Sequence, residues 1–81
     1  MKTTLKLVRV GMTMTEGTIV AWHVGPGARF VAGDVLYTVE TEKVSHDVEA
    51  TAGGTLLEIL VPVDEDAEVG QAVCVVDVEN G

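Results

Sequence analysis

A single lysine stands among acidic residues in the middle of the chain. Lys43 lies in the segment VETEKVSHDVEA, with Glu40 and Glu42 before it and Asp47 and Glu49 after it. Neighbouring carboxylates favour the ammonium form of a lysine over the free amine, so we expect Lys43 to be a poor nucleophile without help. Schiff-base chemistry requires the opposite environment, a desolvated lysine or one beside another cation. The segment therefore argues against catalysis by Lys43 itself, and by composition alone it also fits a solvated lysine in a charged turn, so the position of Lys43 has to decide its role.

The residues on either side of this lysine predict a β-hairpin. YTVE ends at Glu40 and VSHDV begins at Val44, with the polar step Thr41, Glu42 and Lys43 between them. That step lacks the Asn-Gly or Asp-Gly pair of the commonest two-residue turns, so we expect a type I turn or a slightly longer loop. The tip of such a hairpin is exposed. A lysine there is held away from the body of the protein, as a tethered cofactor requires.

The chain contains an internal repeat. GTIVAWHV, which begins at Gly17, matches GTLLEILV, which begins at Gly54, at an offset of 37 residues. Turn glycines and apolar positions coincide at the same offset, so each half is predicted to be one structural unit. Three further pairs at this offset are Gly33 with Gly70, Val39 with Val76, and Glu42 with Glu79.

The stretches between the glycine-rich and proline-rich turns have the composition of strands, being rich in valine, isoleucine, leucine and threonine. Short pieces near Phe30, Val31 and Val69 bring the predicted number to eight. The six longer candidates are LKLVRV (5–10), TIVAWHV (18–24), DVLYTVE (34–40), VSHDVEA (44–50), TLLEILV (55–61) and AVCVVDV (72–78).

These strands predict an all-β fold, a sandwich or flattened barrel of two four-stranded antiparallel sheets, with its two halves related by a pseudo-twofold axis. Residues 1–81 are expected to form one domain, because a chain of this length has no room for a second core. A twofold axis would place the hairpin around Lys43 and the carboxyl terminus near Glu79 at opposite edges.

Charge and cysteine content exclude several classes of function. The chain has 13 acidic and five basic residues, a net charge of -8, so nucleic acid and anionic membrane surfaces would be repelled. No apolar run has the length of a transmembrane helix. Cys74 is the only cysteine, which rules out an internal disulfide and a C-x-x-C pair and favours a reducing, intracellular compartment. Its apolar surroundings predict a buried hydrophobe.

Nearly the whole chain resembles the lipoyl domain of the dihydrolipoyl acyltransferases in 2-oxo acid dehydrogenase complexes. The resemblance lies in the lysine segment, in GMTMTEGTIVAWHVGPGARFVAGDVL before it and in GGTLLEILVPVDEDAEVGQAV after it. The family carries Asp-Lys-Ala at the hairpin tip, where this chain has Glu42, Lys43 and Val44. Glu42 keeps the acid and Val44 keeps a small apolar residue.

The resemblance implies a non-catalytic carrier, with lipoate joined to Lys43 by an amide and serving as a swinging arm. In the family the arm accepts an acyl group from a thiamine diphosphate-dependent dehydrogenase, passes it to coenzyme A at an acyltransferase core, and is reoxidised by dihydrolipoyl dehydrogenase. A lipoate-protein ligase or lipoyl transferase attaches the cofactor. The implied location is the bacterial cytoplasm, or the mitochondrial matrix in a eukaryote. Which 2-oxo acid, or whether acetoin, supplies the acyl group stays open.

The loop between the first two predicted strands is a candidate recognition surface. In the family this loop lies close to the lipoyl tip and helps the thiamine enzyme to recognise its carrier. The alternative is that the two methionines cap the core. The residues expected to form the recognition patch are Gly11, Met12, Thr13, Met14, Thr15 and Glu40.

Three other functions compete with the lipoyl carrier. A biotinyl carrier shares the fold, but its lysine is typically flanked by methionines, unlike Lys43. An unmodified interaction module predicts that Lys43→Arg is silent. An enzyme acting through Glu42, Lys43 and His46 lacks an oxyanion-hole or phosphate-binding motif. His46 and Asp47 are not expected to bind one metal, because adjacent strand residues point to opposite faces.

Overall fold

A computed structural model describes residues 1–9, 15–42 and 44–79 of the chain. The described residues form strands and turns without a helix, so the all-β prediction is confirmed. The eight strands within them are β1 (Lys2–Lys6), β2 (Glu16–Trp22), β3 (Arg29–Phe30), β4 (Val35–Glu40), β5 (Ser45–Glu49), β6 (Gly54–Ile59), β7 (Asp66–Glu68) and β8 (Ala72–Val78).

The first strand lies earlier in the chain than predicted. The pattern LKLVRV placed it at residues 5–10, whereas β1 runs from Lys2 to Lys6. The reason is its partner: β1 pairs with β8 from Lys2 opposite Asp77 to Lys6 opposite Ala72. This long-range ladder satisfies the backbone of polar residues whose local pattern does not indicate a strand.

The strands form two four-stranded sheets, and every pairing in the described chain is antiparallel. Sheet 1 has the order β1-β8-β6-β3, and sheet 2 has the order β5-β4-β2-β7. The repeat relates β2 to β6, β3 to β7 and β4 to β8. Each sheet therefore contains strands from both halves, and the halves interlock instead of folding side by side.

The hydrogen bonds repeat with the sequence. The amide of Ile19 donates to the carbonyl of Glu65 at 3.0 Å, and the equivalent amide of Leu56 donates to the carbonyl of Ala28 at 2.9 Å. The two donor residues are 37 residues apart, since 19 + 37 = 56, and the two acceptor residues are also 37 residues apart, since 28 + 37 = 65. These bonds tie each half to the other and confirm the predicted pseudo-twofold relationship.

The core lies between the sheets, and no described polar or charged side chain is buried in it. Trp22 packs at its edge, where its indole N–H donates to the carbonyl of Val61 at 2.9 Å and its ring lies 4.8 Å from that of Tyr37. The buried side chains are Leu7, Ile19, Phe30, Leu36, Tyr37, Val39, Ala50, Leu56, Val61, Ala67, Val73, Cys74 and Val76.

Within the described residues, no helix has the length and apolarity that crossing a membrane requires.

Candidate functional site

The hairpin predicted to carry the lysine is formed by β4 and β5. These strands pair antiparallel, with Glu40 opposite Ser45 as the last pair before the turn. Lys43 itself lies outside the described residues, so its place at the tip stays a prediction. The residues that frame it, Thr41, Glu42 and Val44, are described.

Hydrogen bonds between Thr41 and Val44 join the two sides of the turn. The amide of Thr41 donates to the carbonyl of Val44 at 2.8 Å. The hydroxyl of Thr41 donates to the same carbonyl at 3.1 Å and is approached by the amide of Val44 at 3.4 Å. Glu42 does not have a positive φ, which type I′ and II′ turns require at that position. The turn thus departs from the commonest hairpin turns, as the sequence predicted.

The flanks of the tip lie outside the core. Glu40 and Glu42 are exposed, Val44 is 51% exposed, and Thr41 is half-buried. The side chains beside Lys43 therefore contribute little to packing between the sheets. A substitution in this turn is expected to leave the sandwich folded, because the fold is stabilised mainly by the buried side chains between the sheets.

The surface of sheet 2 around the turn is acidic. Glu16 lies opposite Glu68, and Thr18 lies between Asp66 on β7 and Glu40 on β4. The four strands of sheet 2, as described, contain neither lysine nor arginine. The cations of the described strands lie in sheet 1 instead, at Lys2, Lys6 and Arg29. A partner that approaches the hairpin from the outer side of sheet 2 meets carboxylates.

The predicted recognition patch is only partly described. Gly11, Met12, Thr13 and Met14 lie outside the described residues. Thr15 is exposed, and its carbonyl accepts a hydrogen bond from the amide of Val69 at 2.9 Å. It leads directly into β2, whose Thr18 pairs with Glu40. The structure therefore places Thr15 just before β2 and Glu40 at the end of the neighbouring strand β4, near the hairpin turn.

The structure contains a chain of hydrogen bonds across sheet 2 that the sequence did not predict. Nε2 of His23 lies 2.8 Å from the hydroxyl of Thr38, which donates to Oδ1 of Asp47 at 2.9 Å. The pairing of Thr38 with Asp47 depends on the register of β4 and β5, which no local pattern reveals. His46 is half-buried whereas Asp47 is exposed, as the predicted opposite orientation requires. In the described part of the chain, acidic, histidine and cysteine side chains form no cluster that could hold a metal ion.

The thiol of Cys74 lies inside the core, as predicted. It is fully buried, and burial raises the pKa of the thiol to about 11. A thiol with that pKa is protonated at neutral pH and is a weak nucleophile. Its role is therefore packing.

An apolar cavity of about 320 Å³ opens between the edge strands β1 and β5. Its walls include Leu5 on β1, Val48 on β5 and Phe30, and it extends toward Val78 at the end of β8. None of the described tip residues lines it.

Two interlocked four-stranded sheets with an exposed hairpin turn around one lysine define a cofactor-attachment domain. The chain belongs to the biotin/lipoyl attachment family, whose model, described as "Biotin-requiring enzyme", matches residues 3–76.

The relatives are components of pyruvate dehydrogenase complexes and of an acetoin cleaving system. Over 84% of its length the chain is 47% identical to the protein X component of the pyruvate dehydrogenase complex of Chaetomium thermophilum. Over 88% it is 39% identical to the acetyltransferase component of the pyruvate dehydrogenase complex of Zymomonas mobilis. Over 90% it is 38% identical to the acetyltransferase component of an acetoin cleaving system of Pseudomonas putida. The chain spans only 16%, 16% and 20% of the length of these three relatives.

Solved structures agree with this assignment. The solution structure of the lipoyl domain of the 2-oxoglutarate dehydrogenase complex of Azotobacter vinelandii is 26% identical, with a TM-score of 0.77, over 96% of this chain and 98% of that one. Part of a long-chain acyl-CoA carboxylase matches with a TM-score of 0.81 at 21% identity, which shows the fold alone. The resemblance to the lipoyl domains of acyltransferases is confirmed, and with it the carrier role of the domain.

Proposed function

We propose that this domain carries lipoate on Lys43 and serves as the swinging arm of a 2-oxo acid or acetoin dehydrogenase complex. The observation that carries the proposal is the match to a lipoyl domain over nearly the full length of both chains. The hairpin adds support, because Thr41 and Val44 are joined by hydrogen bonds and leave only Glu42 and Lys43 between them.

The chemistry divides between protein and cofactor. The lipoate carboxyl and the Lys43 amine form an amide, with the formal loss of water. The dithiolane then supplies acyl and electron transfer, whereas the protein presents the arm and is recognised by its partners. Tethering raises the local concentration of the reacting group at each active site within reach of the arm. The domain itself is a non-catalytic carrier in this proposal.

The proposed partners follow from the relatives, which are parts of such complexes. They are a thiamine diphosphate-dependent dehydrogenase, an acyltransferase core and dihydrolipoyl dehydrogenase, with a lipoate-protein ligase or lipoyl transferase for attachment. We place the domain in the bacterial cytoplasm or the mitochondrial matrix, where its ligase and complex would be found together.

Mass spectrometry tests the attachment. The domain is incubated with lipoate, ATP and a lipoate-protein ligase, and parallel samples receive biotin and a biotin ligase. We expect one lipoyl increment, mapped by peptide sequencing to Lys43 and absent from Lys43→Arg. Lys2 and Lys6, both exposed on β1, are internal controls for non-specific acylation.

The alternatives make different predictions in the same experiment. A biotin increment without a lipoyl increment would replace lipoate by biotin. No increment with either ligase, while a known lipoyl domain is modified, would favour an unmodified interaction module. Lys43→Gln is expected to keep the circular dichroism spectrum of the wild type, and its unfolding would overturn the exposed-tip placement.

A further inference from the structure

Thr41 forms hydrogen bonds across the hairpin turn through its side chain as well as through its main chain. Its amide already bonds to the carbonyl of Val44 at 2.8 Å. Its hydroxyl adds a second bond to that carbonyl at 3.1 Å and lies 3.4 Å from the amide of Val44. One side chain thus contacts both polar backbone groups of the residue that follows Lys43.

The other half of the molecule shows what the backbone bond does alone. Val78 is the equivalent of Thr41, since 41 + 37 = 78, and its amide donates to the carbonyl of Met1 at 2.8 Å. Met1 precedes Lys2 as Val44 precedes Ser45, and Lys2 lies opposite Asp77 as Ser45 lies opposite Glu40. The backbone bond is therefore common to both ends of the sandwich, whereas the hydroxyl is present only at the hairpin turn.

The hydroxyl matters for the turn because the residues of the turn do little to specify its backbone conformation. Neither Glu42 nor Lys43 is a glycine, asparagine or proline, the residues that define tight turns. The side chains of Glu42 and Val44 are too exposed to hold the loop by packing. A threonine hydroxyl that bonds across the loop restricts it without burying surface.

We infer that Thr41 is a positioning residue for the modification of Lys43, because its hydroxyl holds the turn in the conformation that the ligase recognises. This inference rests on the proposed function. Without the hydroxyl the turn samples more conformations, so the competent fraction falls and the apparent KM rises by the same factor. We expect the rate at saturating domain to be unchanged, because the hydroxyl acts on the conformation of the turn and not on the chemistry of amide formation.

Ligase kinetics on three variants test the inference. Initial rates of lipoylation are measured against domain concentration for the wild type, Thr41→Val, Thr41→Ser and Thr38→Val. Thr38 is the matched control, since it is a nearby threonine, on β4, whose hydroxyl makes hydrogen bonds to His23 and Asp47 instead of across the turn.

We expect Thr41→Val to raise KM about fivefold at unchanged kcat, the effect of losing one hydrogen bond. Thr41→Ser and Thr38→Val should match the wild type. Amide exchange at Val44, followed by NMR, should speed up in Thr41→Val alone, while the melting temperature falls by no more than about 4–8 °C, the largest shift that a fivefold equilibrium effect gives in a domain of this size.

Three results would overturn the inference. A Thr41→Val domain with wild-type KM shows that the hydroxyl is dispensable. A Thr41→Ser domain as impaired as Thr41→Val assigns the effect to the methyl group. A fall in kcat at constant KM places Thr41 in the ligase reaction centre. Failure of the wild type to take up lipoate would instead refute the proposed function, so the two failures are distinguishable.

Discussion

Tyr37 and Cys74 occupy equivalent positions in the two halves, and both side chains are buried in the core. They are 37 residues apart, on β4 and β8, and their exposed fractions are 1% and 0%. Burial, and second the charge of an ionised Cys74, raise the pKa of Tyr37 to about 12. The repeat thus places two ionisable side chains in one core, where burial favours the neutral form of both.

The Tyr37–Cys74 pair predicts a loss of stability at alkaline pH. The Cys74 pKa rises from 9.0 unfolded to about 11 folded, and the Tyr37 pKa rises from 10.0 to about 12. Above pH 9 the unfolded state binds fewer protons than the folded state, so the free energy of unfolding falls as pH rises. The slope is about 1.4 kcal/mol per pH unit for each group between its two pKa values.

Urea unfolding between pH 7 and pH 12 measures this effect. Tyr37 is the only tyrosine, so tyrosinate absorbance should appear together with unfolding and not before it. Cys74→Val should delay the onset of the fall from about pH 9 to about pH 10. Stability that stays constant to pH 11 would contradict the burial of both groups.

Gly70 and Gly25 form a matched pair for backbone conformation. A Cβ at either position would meet nothing within 4 Å, but Gly70 has a φ of +90° and Gly25 does not have a positive φ. Gly70→Ala is expected to lower the free energy of unfolding by about 1 kcal/mol, through the left-handed conformation alone. Gly25→Ala should be neutral or stabilise by about 0.5 kcal/mol. Thermal melting compares them, and equal effects would refute this explanation.

Substitutions at Gly54 and Gly53 test how closely strands β6 and β8 approach each other in sheet 1. A Cβ on Gly54 would lie 2.4 Å from the carbonyl oxygen of Asp77 and 3.2 Å from the Phe30 ring, whereas the nearest atom to one on Gly53 is 3.4 Å away. We expect Gly54→Ala to cost about 1–3 kcal/mol because β6 must move away from β8. Gly53→Ala should cost less than about 0.5 kcal/mol. Chemical denaturation gives both values, and a harmless Gly54→Ala would show that the strands are less tightly packed.

Glu40 is expected to act in partner recognition without affecting attachment. It is exposed at the end of β4, beside the hairpin turn, on a sheet face without lysine or arginine in the described strands. Glu40→Gln should leave lipoylation unchanged and lower kcat/KM for reductive acylation by the thiamine enzyme about threefold to tenfold, since exposed interface charges govern association rates. Glu58→Gln, an exposed acid in sheet 1, is the control. If both variants lowered kcat/KM equally, the effect of Glu40 would come from the net charge of the domain and not from its position beside the turn.

The sequence by itself determined the features that depend on local pattern and on repetition. Alternation and turn residues predicted the strands around Trp22, Tyr37 and Cys74, because side-chain direction in a strand has a period of two. The offset of 37 residues predicted two similar halves, and the acidic polar step predicted an exposed turn around Lys43. Each of these features is contained in a window of a few residues or in the comparison of two windows.

Only the tertiary structure decided which strands pair and in which register. Strand β1 begins at Lys2 because β8 is its partner, and each half contributes strands to both sheets. The register of the β4–β5 hairpin, which is also set by packing, brings Thr38 to Asp47 and joins Thr41 to Val44 across the turn. Ladder hydrogen bonds between backbones are nearly independent of side-chain identity, so their partners are selected by the packing of the whole core and not by the local sequence.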